Sequence, residues 1–257
     1  MSIALQDTLP FPPSPEETLD DLLIHHMTLL QSKKGYRFSL DAVLLAMWLD
    51  IAAVQKGMDL GTGSGVIPLL LTARKASLRM EGLEVQESLF QRAQKNIINN
   101  HLEDKIQILS GDIMQVPQQF PAHTYDLVCC NPPFFRAGEG KINPHSEKAV
   151  ARHELKVTFE GIVQAARHLL RPGKNFALIF PTSRLSETLS LLLQNGFSPR
   201  RLRWVHPRTQ AAATMFLLEA SSGTKTSLTV EPPLFVYQED GQYSPEIRAW
   251  YAVNSMK

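Results

Sequence analysis

Two periods of apolar residues alternate along this chain, and that alternation predicts its architecture. Aliphatic runs at 57–60, 79–85, 106–110, 125–130 and 175–180 are short enough for buried strands. Between them, apolar positions spaced three and four apart predict helices over 66–74, 87–99 and 159–170. Strands separated by helical patterns imply βαβ units and a parallel sheet, an α/β fold with helices on both faces. Arg171-Pro172-Gly173 is read as the stop after the third of these helices, and 183–195 as a further helix. Runs at 201–206 and 214–220 follow, too close together for a crossover helix, so an antiparallel hairpin is expected. Upstream, Leu40, Val43, Leu44, Met47 and Trp48 share one helical face, predicting a helix over 40–50 capped by Ser39. Residues 16–24 read as a short helix, 27–31 as a short extended piece, and 234–237 as a last strand.

This pattern divides the chain into a flexible, proline-rich leader (1–18), one α/β domain (19–220) and an extension packed on it (221–257), with polar 221–225 as the link. No internal repeat is present. A chain of 257 residues buries a sizeable core, and 44% hydrophobic with 20% charged residues is ordinary for a globular protein. The formal net charge of +1 provides no global attraction for polyanions, so nucleic-acid affinity requires a local patch. Cys129 and Cys130 are strand neighbours pointing to opposite faces, which excludes a bridge between them and suits a reducing cytoplasm. The first fifteen residues lack the apolar core of a secretion signal. The apolar stretch 40–54 is interrupted by Asp41 and Asp50 and falls short of the roughly 20 residues that span a bilayer. With no Cys-x-x-Cys and histidines scattered apart from His25-His26, no metal is expected. A monomer is expected.

Two loops carry candidate chemistry. Asp59-Leu60-Gly61-Thr62-Gly63-Ser64-Gly65 lies between a strand and a helix start, where glycines allow close backbone approach and the helix N-terminus is electropositive. Val66 occupies the sixth position that the dinucleotide fingerprint reserves for glycine, and no Gly-Lys-Ser/Thr occurs, so the NAD-type turn and the phosphate loop are both disfavoured. Glu84, 23 residues after Gly61, stands near the spacing at which an acid meets ribose hydroxyls. Asp112 ends the third strand, where a carboxylate can accept from an adenine amino group, and Asp59 offers negative charge beside the turn. All lie at carboxyl ends of parallel strands, where such sheets bind ligands.

The second loop is Asn131-Pro132-Pro133-Phe134. A planar amine has its lone pair delocalised into a π-system. Two acceptors aimed at its N–H bonds, the Asn131 side-chain oxygen and the Pro132 carbonyl, favour pyramidalisation and localise that pair. Each residue before a proline is biased to extended geometry, which pre-orients both acceptors. Phe134 offers a face on which a base stacks. A strand-ending Pro-Pro turn with a core phenylalanine is the bland alternative. Taken together, the two loops point to methyl transfer from S-adenosylmethionine to an exocyclic or amide nitrogen.

On these motifs the chain resembles the class I S-adenosylmethionine-dependent methyltransferases that act on amines, and more closely the bacterial tRNA(Val) adenine-N6 methyltransferase family. The resemblance covers about 19–251. It rests on Gly35-Tyr36-Arg37-Phe38-Ser39-Leu40-Asp41-Ala42-Val43-Leu44-Leu45-Ala46, the glycine turn, Asn131 to Phe135, Ala151-Arg152-His153-Glu154, Pro232-Pro233-Leu234-Phe235-Val236-Tyr237 and Gly241-Gln242-Tyr243. It implies the Rossmann-like sheet of that class and a tRNA partner. It also implies a segment in which Phe38 and Asp41 close over the cofactor's methionine end; a helix cap and a core aromatic would explain these two residues equally. The family often has tyrosine where this chain has Phe134, a change that keeps stacking and removes a hydroxyl contact.

Arg200, Arg201, Arg203, His206 and Arg208 form the densest basic cluster, with Lys33, Lys34, Arg37, Arg136 and Lys141 as candidates for the other rim of a phosphate-contacting cleft. A solvated basic hairpin accounts for the cluster as well. The nearest rival is a protein-glutamine methyltransferase acting on release factors, since a carboxamide nitrogen poses the same electronic problem. That group has a longer helical N-terminal domain, whereas 58 residues precede Asp59 here. DNA adenine methylation is disfavoured for want of a sequence-reading domain. A non-catalytic RNA-binding module would keep the basic patch but has no need for Asn131 beside a glycine turn.

Overall fold

The computed structural model describes residues 9–22, 24, 26–34, 37–132 and 157–252. Its strands are β1 (Glu17–Asp21), β2 (Thr28–Ser32), β3 (Lys56–Leu60), β4 (Arg79–Glu84), β5 (Ile106–Ser110), β6 (Tyr125–Cys130), β7 (Leu170–Pro181), β8 (Phe197–His206), β9 (Met215–Ser222), β10 (Thr229–Val230) and β11 (Leu234–Phe235). Its helices are α1 (Leu40–Trp48), α2 (Val66–Arg74), α3 (Glu87–Asn99), α4 (Val116–Gln119), α5 (Phe159–Leu169), α6 (Leu185–Gln194) and α7 (Pro245–Ala252).

The main sheet runs β5-β4-β3-β6-β7-β9-β8, with β10 and β11 both pairing along β8. Only β9 runs antiparallel to its neighbours; β3 pairs in parallel with β4 on one side and β6 on the other. The chain therefore winds outward through β4 and β5, then returns past β3 to lay down β6. That reversal opens a crevice at the carboxyl ends of β3 and β6, where ligands bind in such sheets. Strand residues alternate between two cores. Leu127, Cys129, Ala177 and Ile179 face the α1 and α2 side, while Val128, Cys130, Phe176 and Leu178 face α5. Burial on both faces explains why these strands read as unbroken apolar runs. The two cysteines are free and buried, one in each core.

Several local expectations are corrected. The helix expected over 16–24 is instead β1, paired antiparallel with β2 so that Leu19 faces Leu30. So short a helix would be marginal alone, whereas strand pairing satisfies its backbone at once. Ser39 does not cap α1 with its side chain; its hydroxyl donates to Asp41 Oδ2 at 2.8 Å. The helix does stop just ahead of Arg171–Gly173, at Leu169, but the strand expected from 175 already begins at Leu170, with an irregularity that sets Tyr125 opposite Leu170 and Leu127 opposite Asn175, and with Gly173 at φ +75°. The link expected at 221–225 begins later, because β9 continues to Ser222.

Arg201 and Arg203, expected at a phosphate surface, hold the C-terminal segment instead. Arg201 stacks over Trp48 at 4.4 Å and donates to Glu231 at 2.6 Å, and Trp48 Nε1 donates to the same carboxylate at 2.7 Å. Arg203 grips Glu246 with two bonds of 2.7 and 2.8 Å and donates to the Pro232 carbonyl at 2.9 Å. Its side chain is only 12% exposed. Arg200 pairs with buried Glu219. These contacts cover the β8 edge that would otherwise invite pairing with another chain. Among the described residues no helix is long and apolar enough to cross a membrane.

Replacing Glu231 by alanine removes the acceptor shared by Trp48 and Arg201. The expected loss is about 1–3 kcal/mol in urea unfolding, and an unchanged midpoint would show that the clamp is idle.

Candidate functional site

β3 ends at Leu60 and the chain turns sharply. Gly61 and Gly65 have φ of +74° and +85°, a region that a side chain resists, so glycine is required to make the turn. The N–H groups of Gly61 and Thr62 both donate to the Leu83 carbonyl, at 2.9 and 3.0 Å, which ties the turn to β4. Thr62 lies against Gly82, where an added Cβ would approach its side chain to 2.8 Å. Glu84 closes the back of the turn: its Oε2 accepts from Gly63 N–H at 2.9 Å and its Oε1 from Gln86 N–H at 2.9 Å.

Asn131 follows β6 directly, and Asp59 pairs with Cys129 across β3 and β6, so Asn131 comes to rest beside the turn. Phe38, Ala42, Asp59, Gly61, Thr62, Ser64, Val66, Ile67 and Asn131 line one cleft. Buried polar atoms almost always have partners, so those without one mark places where a ligand is expected. Four such atoms gather on this cleft, with no partner among the described residues: Asp59 Oδ2, Thr62 Oγ1, Ser64 Oγ and Asn131 Oδ1. Five others, on Thr72, Arg92, Asn175, Thr188 and Ser222, belong to residues that do not line it. The Thr62 hydroxyl lies near enough to Asp59 to favour the charged carboxylate slightly. The donor set is acceptor-rich and anionic, which suits a ligand carrying N–H groups and positive charge.

Asp59 is 1% exposed. Burial raises its pKa to about 7, the nearby Glu84 charge adds to this, and the Thr62 and Cys129 side chains offset it only in part. Burial likewise raises Glu84, against the pull of its backbone donors. Burial also pushes the Cys129 thiol well up, with Asp59 adding to the shift, so Cys129 is a neutral wall and no nucleophile. Asp41 sits in the first turn of α1, raised by burial and bonded by Ser39. Asp112 caps a 3-10 turn, its Oδ1 accepting from Met114 N–H at 2.9 Å.

Of the residues expected at the site, the structure brings Phe38, Asp59, Gly61, Thr62 and Asn131 onto one surface. Gly63, Gly65 and Glu84 build the turn behind it. Asp41 and Asp112 stand at neighbouring element ends and are not among the lining residues. Pro132 is buried. Pro133, Phe134, Arg136, Lys141 and the 151–154 piece lie outside the described residues. Ser64 and the α2 residues Val66 and Ile67 are not among the residues expected at the site; the available signal is their place on either side of the third glycine, Gly65. Among the described residues, no group of three or more His, Cys, Asp and Glu could hold a metal.

Comparison with known proteins adds a family. The family described as "Methyltransferase small domain" matches residues 38–195. A Dyadobacter fermentans protein named tRNA1(Val) (adenine(37)-N6)-methyltransferase is 25% identical over 223 residues, covering 86% of this chain and 91% of the relative. A protein of the same name from Tolumonas auensis is 27% identical over 220 residues, covering 85% and 90%. Among solved structures, a predicted O-methyltransferase from Agrobacterium tumefaciens superposes with a TM-score of 0.66 at 21% identity, over 82% of this chain and 95% of that one. At that identity the likeness shows the Rossmann-like methyltransferase fold alone.

Asp59 sets a pH signature. The unfolded chain releases its proton near the ordinary carboxyl value, and the folded protein only near pH 7. Wild-type stability therefore contains a contribution that is full at low pH and lost as pH rises to about 7. Asp59→Asn is expected to raise Tm at pH 8 by roughly 2–4 °C, with the gain shrinking towards pH 4. Calorimetric scans at both pH values check this, and a variant less stable than wild type at pH 8 contradicts it.

Proposed function

The chain belongs to the methyltransferase small domain family, and from that membership we propose that it transfers a methyl group from S-adenosylmethionine to N6 of an adenine in tRNA. The specific target is the adenine beside the anticodon of a valine tRNA. The observation that carries the reaction type is the Asn131 side-chain oxygen, buried and without a partner among the described residues, on the same cleft as the glycine turn. The choice of base and RNA is supported by relatives of that name, matched over about nine-tenths of their length.

The residues present fit the cofactor. Unpaired acceptors at Asp59 and Ser64 suit its cationic groups. Glu84 has spent one lone pair on each oxygen and keeps the others for ribose hydroxyls. Asp112 retains acceptor capacity for an adenine amino group, and Phe38 with Asp41 would close over the methionine end. When bound, the cofactor supplies an electrophilic methyl carbon on a sulfonium sulfur. Asn131 Oδ1 and the Pro132 carbonyl accept the two N–H bonds of the adenine amine and localise its lone pair. The localised pair would then accept the methyl group that the cofactor supplies, leaving it as a neutral thioether, and the surplus N–H proton would pass to water. Phe134, outside the described residues, is the candidate from sequence for stacking on the target base.

For the RNA side, Lys33, Lys34, Arg37 and Arg208 are exposed. Arg37 pairs with Asp20, whereas Lys34 makes only an exposed, easily displaced pair with Glu16. Arg208, beside Pro207 whose carbonyl accepts from Tyr237 N–H, remains the strongest candidate of the basic hairpin.

The reading is tested by incubating the protein with cofactor and an unmodified valine tRNA transcript, then measuring nucleosides by mass spectrometry. N6-methyladenosine is expected; methylglutamine in a parallel release-factor arm, with unmodified RNA, would overturn it. Asn131→Ala is expected to lower kcat by about a hundredfold or more while S-adenosylhomocysteine affinity stays within about threefold. Wild-type turnover would refute the role. Lys34→Glu with Arg208→Glu is expected to weaken tRNA binding and flatten its salt dependence; unchanged binding at 50 and 200 mM salt would move the RNA surface elsewhere.

A further inference from the structure

Helix α3 carries a row of side-chain amides that the reaction does not use. Asn99 accepts from Phe11 N–H at 2.9 Å and donates to Phe11 C=O at 2.8 Å. Asn100 does the same to Thr28, at 3.0 and 2.8 Å. Asn96 accepts from Leu30 N–H at 2.6 Å and donates to Leu30 C=O at 3.2 Å. Each carboxamide thus takes both backbone groups of one residue, as a neighbouring strand would. Thr28 and Leu30 alternate along β2, so α3 stands in for a third strand beside the β1–β2 hairpin.

Asn96 differs from the other two. It is 0% exposed, and its second amide proton goes to the Ser64 carbonyl in the glycine turn at 2.9 Å. The next residue of the hairpin, Gln31, accepts from Phe38 N–H at 2.9 Å through its side-chain oxygen. A continuous path therefore runs Ser64–Asn96–Leu30–Gln31–Phe38. Its two ends, Ser64 and Phe38, both line the cleft. Hydrogen-bonded networks of this kind are rigid when every member is satisfied and costly when one is lost.

We infer that Asn96 is a positioning residue that locks the glycine turn to the hairpin, so that cofactor binding and hairpin rigidity are coupled through one buried amide. Loss of Asn96 leaves the Ser64 carbonyl and both Leu30 backbone groups without their partner, whereas loss of Asn100 loosens the hairpin and leaves the turn alone. Because the coupling is thermodynamic, it acts in both directions: occupancy of the cleft protects the Leu30 amide. The inference rests on the cofactor assignment above.

Two measurements test it. S-adenosylhomocysteine titrated by calorimetry is expected to bind Asn96→Ala roughly tenfold or more weakly than wild type, and Asn100→Ala within about twofold. Hydrogen exchange of the wild-type Leu30 amide, followed by NMR, is expected to slow several-fold on adding S-adenosylhomocysteine, more than that of Thr28. This second measurement decides the matter if Asn96→Ala does not fold. Binding by Asn96→Ala within twofold of wild type, an equal loss in Asn100→Ala, or Leu30 exchange indifferent to ligand would each overturn the inference while leaving the proposed function intact. No binding by wild type would overturn the cofactor assignment and this inference with it.

Discussion

The parallel pairing of β3 with β6 is the constraint from which the rest follows. It sets Asp59 opposite Cys129, so the two strands end side by side and their loops leave into the same crevice. One loop is the glycine turn, the other begins at Asn131. A shift of one residue in that register would turn the side chains of either strand to the opposite core. The two cores prevent it, since Cys129 and Cys130 are each buried in a different one.

Around that pairing, binding capacity is bought with folding stability. Asp59 is buried without a cationic partner among the described residues, and four polar atoms on the cleft have no partner among them. Elsewhere Thr72, Arg92, Asn175, Thr188 and Ser222 each keep one buried side-chain atom unpaired among the described residues, but the groups that frame the site are satisfied. Glu84 has a backbone donor on each oxygen, Asn96 uses both amide protons, and Glu231 serves two side chains at once. Unpaired polar atoms that converge on one cleft are the arrangement expected of a ligand site before its ligand arrives.

Legibility from sequence followed locality. The glycine turn, Asn131-Pro132 and the strand–helix alternation were readable because each depends on residues a few positions apart, and the structure carries the alternation as β3 to β7 with helices between. The β1–β2 hairpin was missed because Glu17 to Asp21, acidic and leucine-containing, has a helical composition, and only the partner strand decides otherwise. Arg201 and Arg203 were read as phosphate contacts because their acidic partners, Glu231 and Glu246, lie 30 and 43 positions downstream. The amides on α3 did carry a signal: Asn96, Asn99 and Asn100 recur at helical spacing on one face. What they pair with, the backbone of residues 66 to 88 positions upstream, has no side-chain signature.

The central claim is that the Asn131 oxygen is kept open to grip an adenine amine beside the glycine turn. The most direct test is a crystal structure with S-adenosylhomocysteine and an adenine-containing anticodon-loop oligonucleotide. The account predicts Asn131 Oδ1 at roughly 2.7–3.2 Å from adenine N6, with the cofactor sulfur facing that nitrogen. An adenine bound with its amine turned away from Asn131, or a sulfur on the far side of the turn from it, would contradict the account.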